Sequence, residues 1–336
     1  MATLSFPRPI TLENLCEFSR HVHELPPSDS IVFDAGPNQR ITPTGIICLT
    51  KTCNRRHREH RTEQCKYSEL ENYEYANNLG FSDALSLKGR PYPQRAFGGE
   101  NYIPISRMNV NDIESESRAS FIPVGEVIER RCGPIAHKIS QGLSPSLTKI
   151  LAHLLREVFR NSYEHSGAPT SGYCMQYWPS YKEVEFCIAD RGIGIRKSLS
   201  ENKYLAITSD KEALLLSVMP GLSSKAWRHK KKKSMHKSEW DNAGYGLFQA
   251  FKLFGSLGHL MIASGQSALI SRRGEDATTV PCNFEGAVIS ARIDLSDQRI
   301  IEAKIEKISR EAAEVKARVG TRSVDIDEVA KYVGVK

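Results

Sequence analysis

The sequence predicts an α/β protein, with an α+β two-layer sandwich in its second half preceded by a smaller α/β unit. Three observations predict it. Apolar Leu147, Ile150, Leu151, Leu154, Leu155, Val158 and Phe159 recur at helical spacing over Pro145–Tyr163. After Gly167 the period changes, and Gly172–Trp178 and Val184–Ala189 read as two strands joined by a turn at Pro179-Ser180. The first sixty or so residues interleave helical patterns with a short apolar strand closed by turn residues.

In chain order, Thr11 precedes Leu12-Glu13-Asn14, with Leu15, Phe18 and Val22 on one helix face. Ile31–Asp34 is a short buried strand ending at Ala35-Gly36-Pro37, and Pro43-Thr44-Gly45 opens an apolar helix. Residues 66–118 are less regular, with an edge-type strand at Tyr102–Ile105 and a linker near Asp112–Ser120. Val124–Ile139 is helical. Beyond the strand pair, Phe248, Phe251, Leu253 and Phe254 mark a helix, and Leu260–Ala263, Ala268–Ser271 and Ala287–Leu295 are read as strands. The sheet is expected to be mostly antiparallel. Ile301, Ile305, Ile308, Ala312, Val315 and Val319 form a heptad-like stripe ended by Gly320. The expected division is 1–118, a connecting helix 119–139, a domain 140–295 and a helical tail 296–336.

Composition excludes several classes. The chain has 336 residues, enough for two domains, with 40% hydrophobic and 25% charged residues. No apolar run approaches the roughly 20 residues that cross a bilayer. The start, MATLSFPRPITLENL, lacks the basic-then-apolar order of a leader, so a cytoplasmic protein without membrane attachment is expected. Its eight cysteines are scattered, several inside apolar runs, as reduced buried thiols are. The net charge of +7 is concentrated at Arg55-Arg56-His57-Arg58 and at Arg228–Lys237.

Three motifs carry chemistry. Glu157, Asn161 and His165 are spaced by four, hence on one helix face. A neutral amide oxygen suits a hard cation, and a neighbouring carboxylate can orient or deprotonate water. Asp190-Arg191-Gly192-Ile193-Gly194-Ile195 follows a strand directly, and an acid there can accept from an exocyclic amine beside a sharply turning backbone. Asn242-Ala243-Gly244-Tyr245-Gly246-Leu247 opens an apolar helix, whose free N–H groups and dipole suit phosphates. It is not a Walker loop, because no Gly-Lys-Ser/Thr follows. Each motif alone also fits a plain solvated helix face, a strand-to-loop turn or a glycine loop.

In this order the three resemble the GHKL ATPase superfamily, which includes histidine-kinase catalytic domains, anti-sigma-factor kinases and gyrase B. The resemblance covers about residues 140–295. It implies helices over one mixed sheet, with ATP and Mg2+ between the layers. Carried over by motif, Asn161 coordinates Mg2+ and Glu157 is the base or water-positioner. Asp190 meets the adenine amine, Gly192, Gly194 and Ile195 line the base pocket, and Gly244, Tyr245, Gly246 and Leu247 lie at the phosphates. His165 ranks lower. Glu285-Gly286-Ala287 matches the late Gly-Thr element except that Ala287 stands where Thr is usual. Residues 196–243 would form the ATP lid, in which Lys225 could reach phosphate. The basic stretch 228–237 could grasp phosphate, meet an acidic partner or touch nucleic acid.

The first unit resembles, more loosely, a STAS-type domain. Thr44 stands where such antagonists carry a phosphorylatable Ser, which makes it a phosphoacceptor candidate; a turn or capping role is the alternative. A rival metal site is the set Cys53, His57, His60 and Cys65, whose residue types can hold zinc. The expected function is a Mg-ATP-dependent ATPase or protein kinase acting as a regulatory switch, with a protein partner and a possible homodimer. The alternatives are a clamp-type ATPase, possibly acting with nucleic acid, and a non-catalytic ATP sensor. His137 lacks the His-Glu setting of a self-contained sensor histidine kinase.

Overall fold

The structure, a computed structural model, describes residues 2–26, 30–37, 40–60, 65–70, 73–85, 98–222, 246–318 and 326–335. It is a mixed α/β protein with one parallel and one antiparallel sheet. The first is three-stranded, ordered β1-β2-β3, from β1 (Ala2–Ser5), β2 (Ile31–Asp34) and β3 (Cys65–Ser68), all parallel. Its crossovers are α1 (Leu12–Glu24) and α2 (Pro43–His60). Thr11 caps α1, its hydroxyl accepting from the Asn14 N–H at 3.2 Å.

The second sheet has five strands in the order β4-β5-β6-β8-β7. They are β4 (Tyr102–Asn109), β5 (Thr170–Trp178), β6 (Glu183–Asp190), β7 (Gly258–Arg272) and β8 (Thr278–Asp294). All four pairings are antiparallel, which corrects the expected mixed sheet. Tyr102–Asn109 was assigned with the first unit but pairs with β5, as the edge strand of the larger sheet. The linker expected at 112–120 is helical, within α5 (Val110–Ser120), which leads into α6 (Val124–Ser140).

Alternation along the central strands decides what each face covers. Val184, Phe186 and Ile188 of β6, with Leu260 and Ile262 of β7, pack with α7 (Pro145–His165) and α10 (Gly246–Leu257). Cys187, Met261, Ala263 and Val288 point the other way and join α1 and α2 in a second core. The larger sheet is therefore covered on both faces, where two layers were expected. On their far side α1 and α2 meet the small sheet, with Phe18 edge-on to Phe6 at 5.9 Å. On their near side Cys16 approaches Met261, sulfur to sulfur, at 3.9 Å.

The three late strand segments read from sequence are parts of two long strands, β7 and β8. The gap between Leu260–Ala263 and Ala268–Ser271 holds a bulge at Ser264-Gly265-Gln266 inside β7. Gly265 takes φ +60°, and a Cβ there would fall 2.3 Å from the Asp210 carboxylate, so only glycine fits. Between β6 and α10 lie α8 (Gly194–Leu199) and α9 (Asp210–Ser217). The heptad stripe lies on α11 (Gln298–Arg318) as far as Val315, with Ile301, Ile305 and Ile308 buried in the same core as α7 and α10, while Val319 and Gly320 are outside the described residues; α12 (Ile326–Val333) follows. The cysteines whose side chains are described, Cys16, Cys48, Cys53, Cys132, Cys174, Cys187 and Cys282, are buried. Among the described residues no helix is long and apolar enough to cross a membrane.

Candidate functional site

The long helix α7 carries one wall of the site. Ser144 caps it, accepting from the Leu147 N–H at 3.0 Å, with Pro145 in the first turn. Its apolar stripe of Leu147, Leu151, Leu154, Leu155, Val158 and Phe159 is buried, which turns Glu157, Asn161 and His165 toward a cavity. The floor is the end of β6, where Asp190 is 7% exposed. Apolar walls come from Ile188, Leu199, Leu222, Leu247 and Ile289. The cavity is open to solvent, and about 1250 Å³ of empty space, the solvent at its mouth included, lies among these residues.

Asp190 is held from three directions. Its Oδ1 accepts the Gly192 N–H at 2.8 Å and the Ala287 N–H at 3.4 Å. Its Oδ2 accepts the Ser162 hydroxyl at 3.1 Å, and Ser162 meets Ser171 at 2.5 Å. A hydroxyl carries one proton, so Ser171 donates to Ser162 and Ser162 to Asp190. A carboxylate has about four acceptor sites. With three filled, Asp190 retains capacity for a donor in the cavity.

The turn after Asp190 is fixed to both neighbours. The Ile193 N–H donates to the Ser166 carbonyl at 2.8 Å. The Ile195 N–H donates to Ser264 Oγ at 2.9 Å, and Ser264 in turn donates to the Gly286 carbonyl at 2.7 Å. Close approach explains two of the predicted glycines. A Cβ on Gly192 would sit 2.1 Å from the Ser166 carbonyl oxygen, and one on Gly246 would sit 2.2 Å from the Glu157 Cβ. Gly194 opens α8 and lines the cavity beside Ile195.

Charge at the α7 wall is balanced. Arg156 and Arg160 each approach Glu157 Oε1 at 3.8 Å, and Arg160 also pairs with Glu164 at 2.5 Å. His165 lies 3.9 Å from Glu164. Behind the floor, on the opposite face of the sheet, Lys51 of α2 donates to the backbone carbonyl of Asp190. Burial lowers the Lys51 pKa to about 8, against the opposing pull of Asp190 and Glu285.

Of the residues expected at the site, the structure brings Glu157, Asn161, Asp190, Gly194, Ile195, Gly246 and Leu247 around one cavity, with His165 among them. Gly192, expected to line the base pocket, is not among the lining residues; its N–H instead donates to Asp190 Oδ1. Lys225, Gly244, Tyr245 and the basic stretch 228–237 lie outside the described residues. Sequence reasoning missed Ser162, Ser171 and Ser264, which read as ordinary small polar residues. It also missed Lys51, whose signal is a lone lysine within the run Ile46-Ile47-Cys48-Leu49-Thr50-Lys51-Thr52-Cys53.

Two other candidates fare differently. Thr44 is 2% exposed, its hydroxyl lies 2.5 Å from Ser290 Oγ and its N–H donates to Glu185 at 3.0 Å. It is sealed between α2 and the sheet, which closes it to phosphoryl transfer in this conformation. His57 Nε2 meets the Tyr67 hydroxyl at 2.9 Å and Cys53 is fully buried. The side chains of His60 and Cys65 are outside the described residues. Among the described residues no cluster of three or more His, Cys, Asp and Glu side chains is placed to hold a metal.

Comparison of the chain with protein-family models, with curated proteins and with solved structures gave no match.

Proposed function

We propose that this chain binds ATP with Mg2+ in the cavity between α7 and the end of β6, as a GHKL-type domain, and that the bound nucleotide acts as a regulatory switch coupled to a STAS-like N-terminal unit. The observation that carries the reading is convergence: Glu157 and Asn161 on α7 and Asp190 on β6 line one cavity with apolar walls. Asp190 offers a buried anionic acceptor suited to an exocyclic amine, between the apolar side chains of Ile188 and Ile289 that suit a planar base. Arg160 and the start of α10 at Gly246 face the same space, where phosphate charge would be met. Asn161 would hold Mg2+, which supplies charge neutralisation on the phosphates. Glu157 would orient a water or the hydroxyl of an acceptor.

Phosphoryl transfer to a protein partner and hydrolysis both fit this constellation. With Thr44 sealed, an acceptor would come from elsewhere. A second reading, a nucleotide sensor without turnover, is favoured by the two arginines that restrain Glu157 at 3.8 Å. Incubation with γ-labelled ATP and Mg2+ tests both, following binding, free phosphate and protein-bound label together. The expected result is Mg-dependent binding that is lost in Asp190→Ala and retained in Glu157→Ala. Release or transfer of label that stops in Glu157→Ala supports turnover; binding without either supports the sensor. A chain that binds no nucleotide refutes the reading.

A further inference from the structure

A stripe of α2 lies against the back of the larger sheet, directly beneath the floor of the site. Thr44, Cys48, Lys51, Arg55 and Arg58 recur at alternating steps of four and three, which places them on one helix face. Four of them make polar contacts with the sheet. Thr44 meets Glu185 and Ser290, and Lys51 donates to the Asp190 carbonyl. Arg55 donates to Asn283 Oδ1 at 2.7 Å, and Arg58 pairs with Glu285 at 2.5 Å. Asn283 and Glu285 lead into Gly286, which touches both Asp190 and Gly192. Three of the four contacts thus fall on the two backbone segments that hold the acid of the site.

Lys51 stands apart from the arginines. The side chains of Arg55 and Arg58 are 21% and 38% exposed, and water screens such pairs. The Lys51 side chain is part-buried, burial lowers its pKa, and its ammonium donates directly to a main-chain oxygen of the acid itself. The charged or titratable groups that face it are Asp190 at the end of β6, Glu285 in β8, and Cys48 and Arg58 on α2 itself. An ammonium in this position holds the main chain of Asp190 and offsets the negative charge of its carboxylate. None of the residues that line the cavity lies on α2, so both effects reach it through Asp190.

Resting on the nucleotide reading above, we infer that Lys51 is a positioning residue of that site, through which the N-terminal unit sets the orientation of Asp190 and hence the affinity for nucleotide. A partner that shifts α2 would then change nucleotide affinity from the opposite face of the sheet, without entering the cavity.

The test compares the wild-type chain, Lys51→Met and Arg58→Ala. Mg-ATP dissociation constants are measured by calorimetry near pH 7 and pH 9, with the urea midpoint recorded for each. In the wild type, affinity falls several-fold between the two pH values as Lys51 loses its proton. Lys51→Met is expected to bind roughly tenfold more weakly at pH 7, the ordinary worth of a charge-assisted hydrogen bond, and to show no further fall at pH 9. Arg58→Ala should lose clearly less affinity than Lys51→Met and keep the fall with pH, moved upward because Arg58 lowers the Lys51 pKa. Should the methionine variant not fold, Lys51→Gln replaces it, with the same pH independence expected. The inference is overturned by wild-type affinity in the Lys51 variant, by parallel pH profiles, or by an equal loss in Arg58→Ala, which would make the effect a general loosening of the interface. A wild-type chain that binds no Mg-ATP at either pH overturns the nucleotide reading first, and this inference with it.

Discussion

Gly286 gives the sharpest test of the geometry behind the site. It takes φ +67°, and a Cβ built on it would lie 2.5 Å from the Asp190 carbonyl oxygen, 2.6 Å from Asp190 Oδ1 and 2.7 Å from the Gly192 nitrogen. Two of these atoms are main chain and cannot swing aside. In Gly286→Ala the left-handed backbone costs about 1–2 kcal/mol, and crowding adds about 1–3 kcal/mol. The variant should therefore lose about 2–5 kcal/mol of stability. Relief of the contacts requires the turn to retreat by the better part of ~1 Å, a displacement that costs on the order of 100-fold at a preorganised site. Gly274 separates the two contributions, because it has φ +79° with nothing within 4 Å of its would-be Cβ. Gly274→Ala should show only the backbone cost and leave Mg-ATP affinity unchanged. Urea denaturation and calorimetric titration of both variants are the assays. Equal midpoints for the two variants, or a Gly286→Ala protein that binds Mg-ATP as the wild type does, would refute the packing described for this turn.

Other substitutions probe the remaining links. Glu157→Ala should lower any phosphate release or transfer by about 100-fold or more while binding stays within about threefold; loss of binding would assign Glu157 a structural role. Thr44→Val removes the partner of the fully buried Ser290 hydroxyl and should cost about 1–3 kcal/mol in urea denaturation, an unchanged midpoint counting against the contact. Burial holds His259 below its ordinary pKa of 6.5, and its Nε2 is buried without a hydrogen-bond partner among the described residues. Below about pH 6.5 the unfolded chain takes up that proton before the folded chain does, so stability should fall as pH drops. Midpoints measured from about pH 7.5 to 5.5 should show a smaller fall in His259→Gln, and a parallel fall would locate the acid sensitivity elsewhere.

The sequence was most legible where one face of an element is dry and the other is not. The apolar stripes on α7 and α1 predict their helices closely, and the helical spacing of Glu157, Asn161 and His165 survives as a shared wall of the cavity. Legibility failed where a tertiary partner decides the outcome. Nothing in Tyr102–Asn109 itself says which sheet it joins, because an edge strand shows the same alternation in either. The break between Ala263 and Ala268 is a bulge, because the left-handed conformation at Gly265 serves a bulge as readily as a turn. Lys51 was absorbed into the basic stretch that follows it, since a buried lysine and a solvated one are the same letter. Ser162 and Ser171 became meaningful only when the β5–β6 register set Ser171 opposite Asp190.

The period-two alternation of β6 explains how two unlike jobs meet at one residue. Val184, Phe186, Ile188 and Asp190 share the face that looks toward α7, whereas Glu185 and Cys187 look toward α2. Asp190 is the last residue of the strand, so its side chain follows that alternation into the cavity while its carbonyl is no longer committed to the ladder with β8, whose register ends at Ala189. A carbonyl released at a strand end must find a donor, and here the donor comes from the opposite layer, as Lys51. Had the acid stood one position earlier, at 189, its side chain would point at α2 and away from the cavity. The parity of the acid's position in the strand, together with its place at the strand end, therefore lets α2 touch the same residue that faces the cavity.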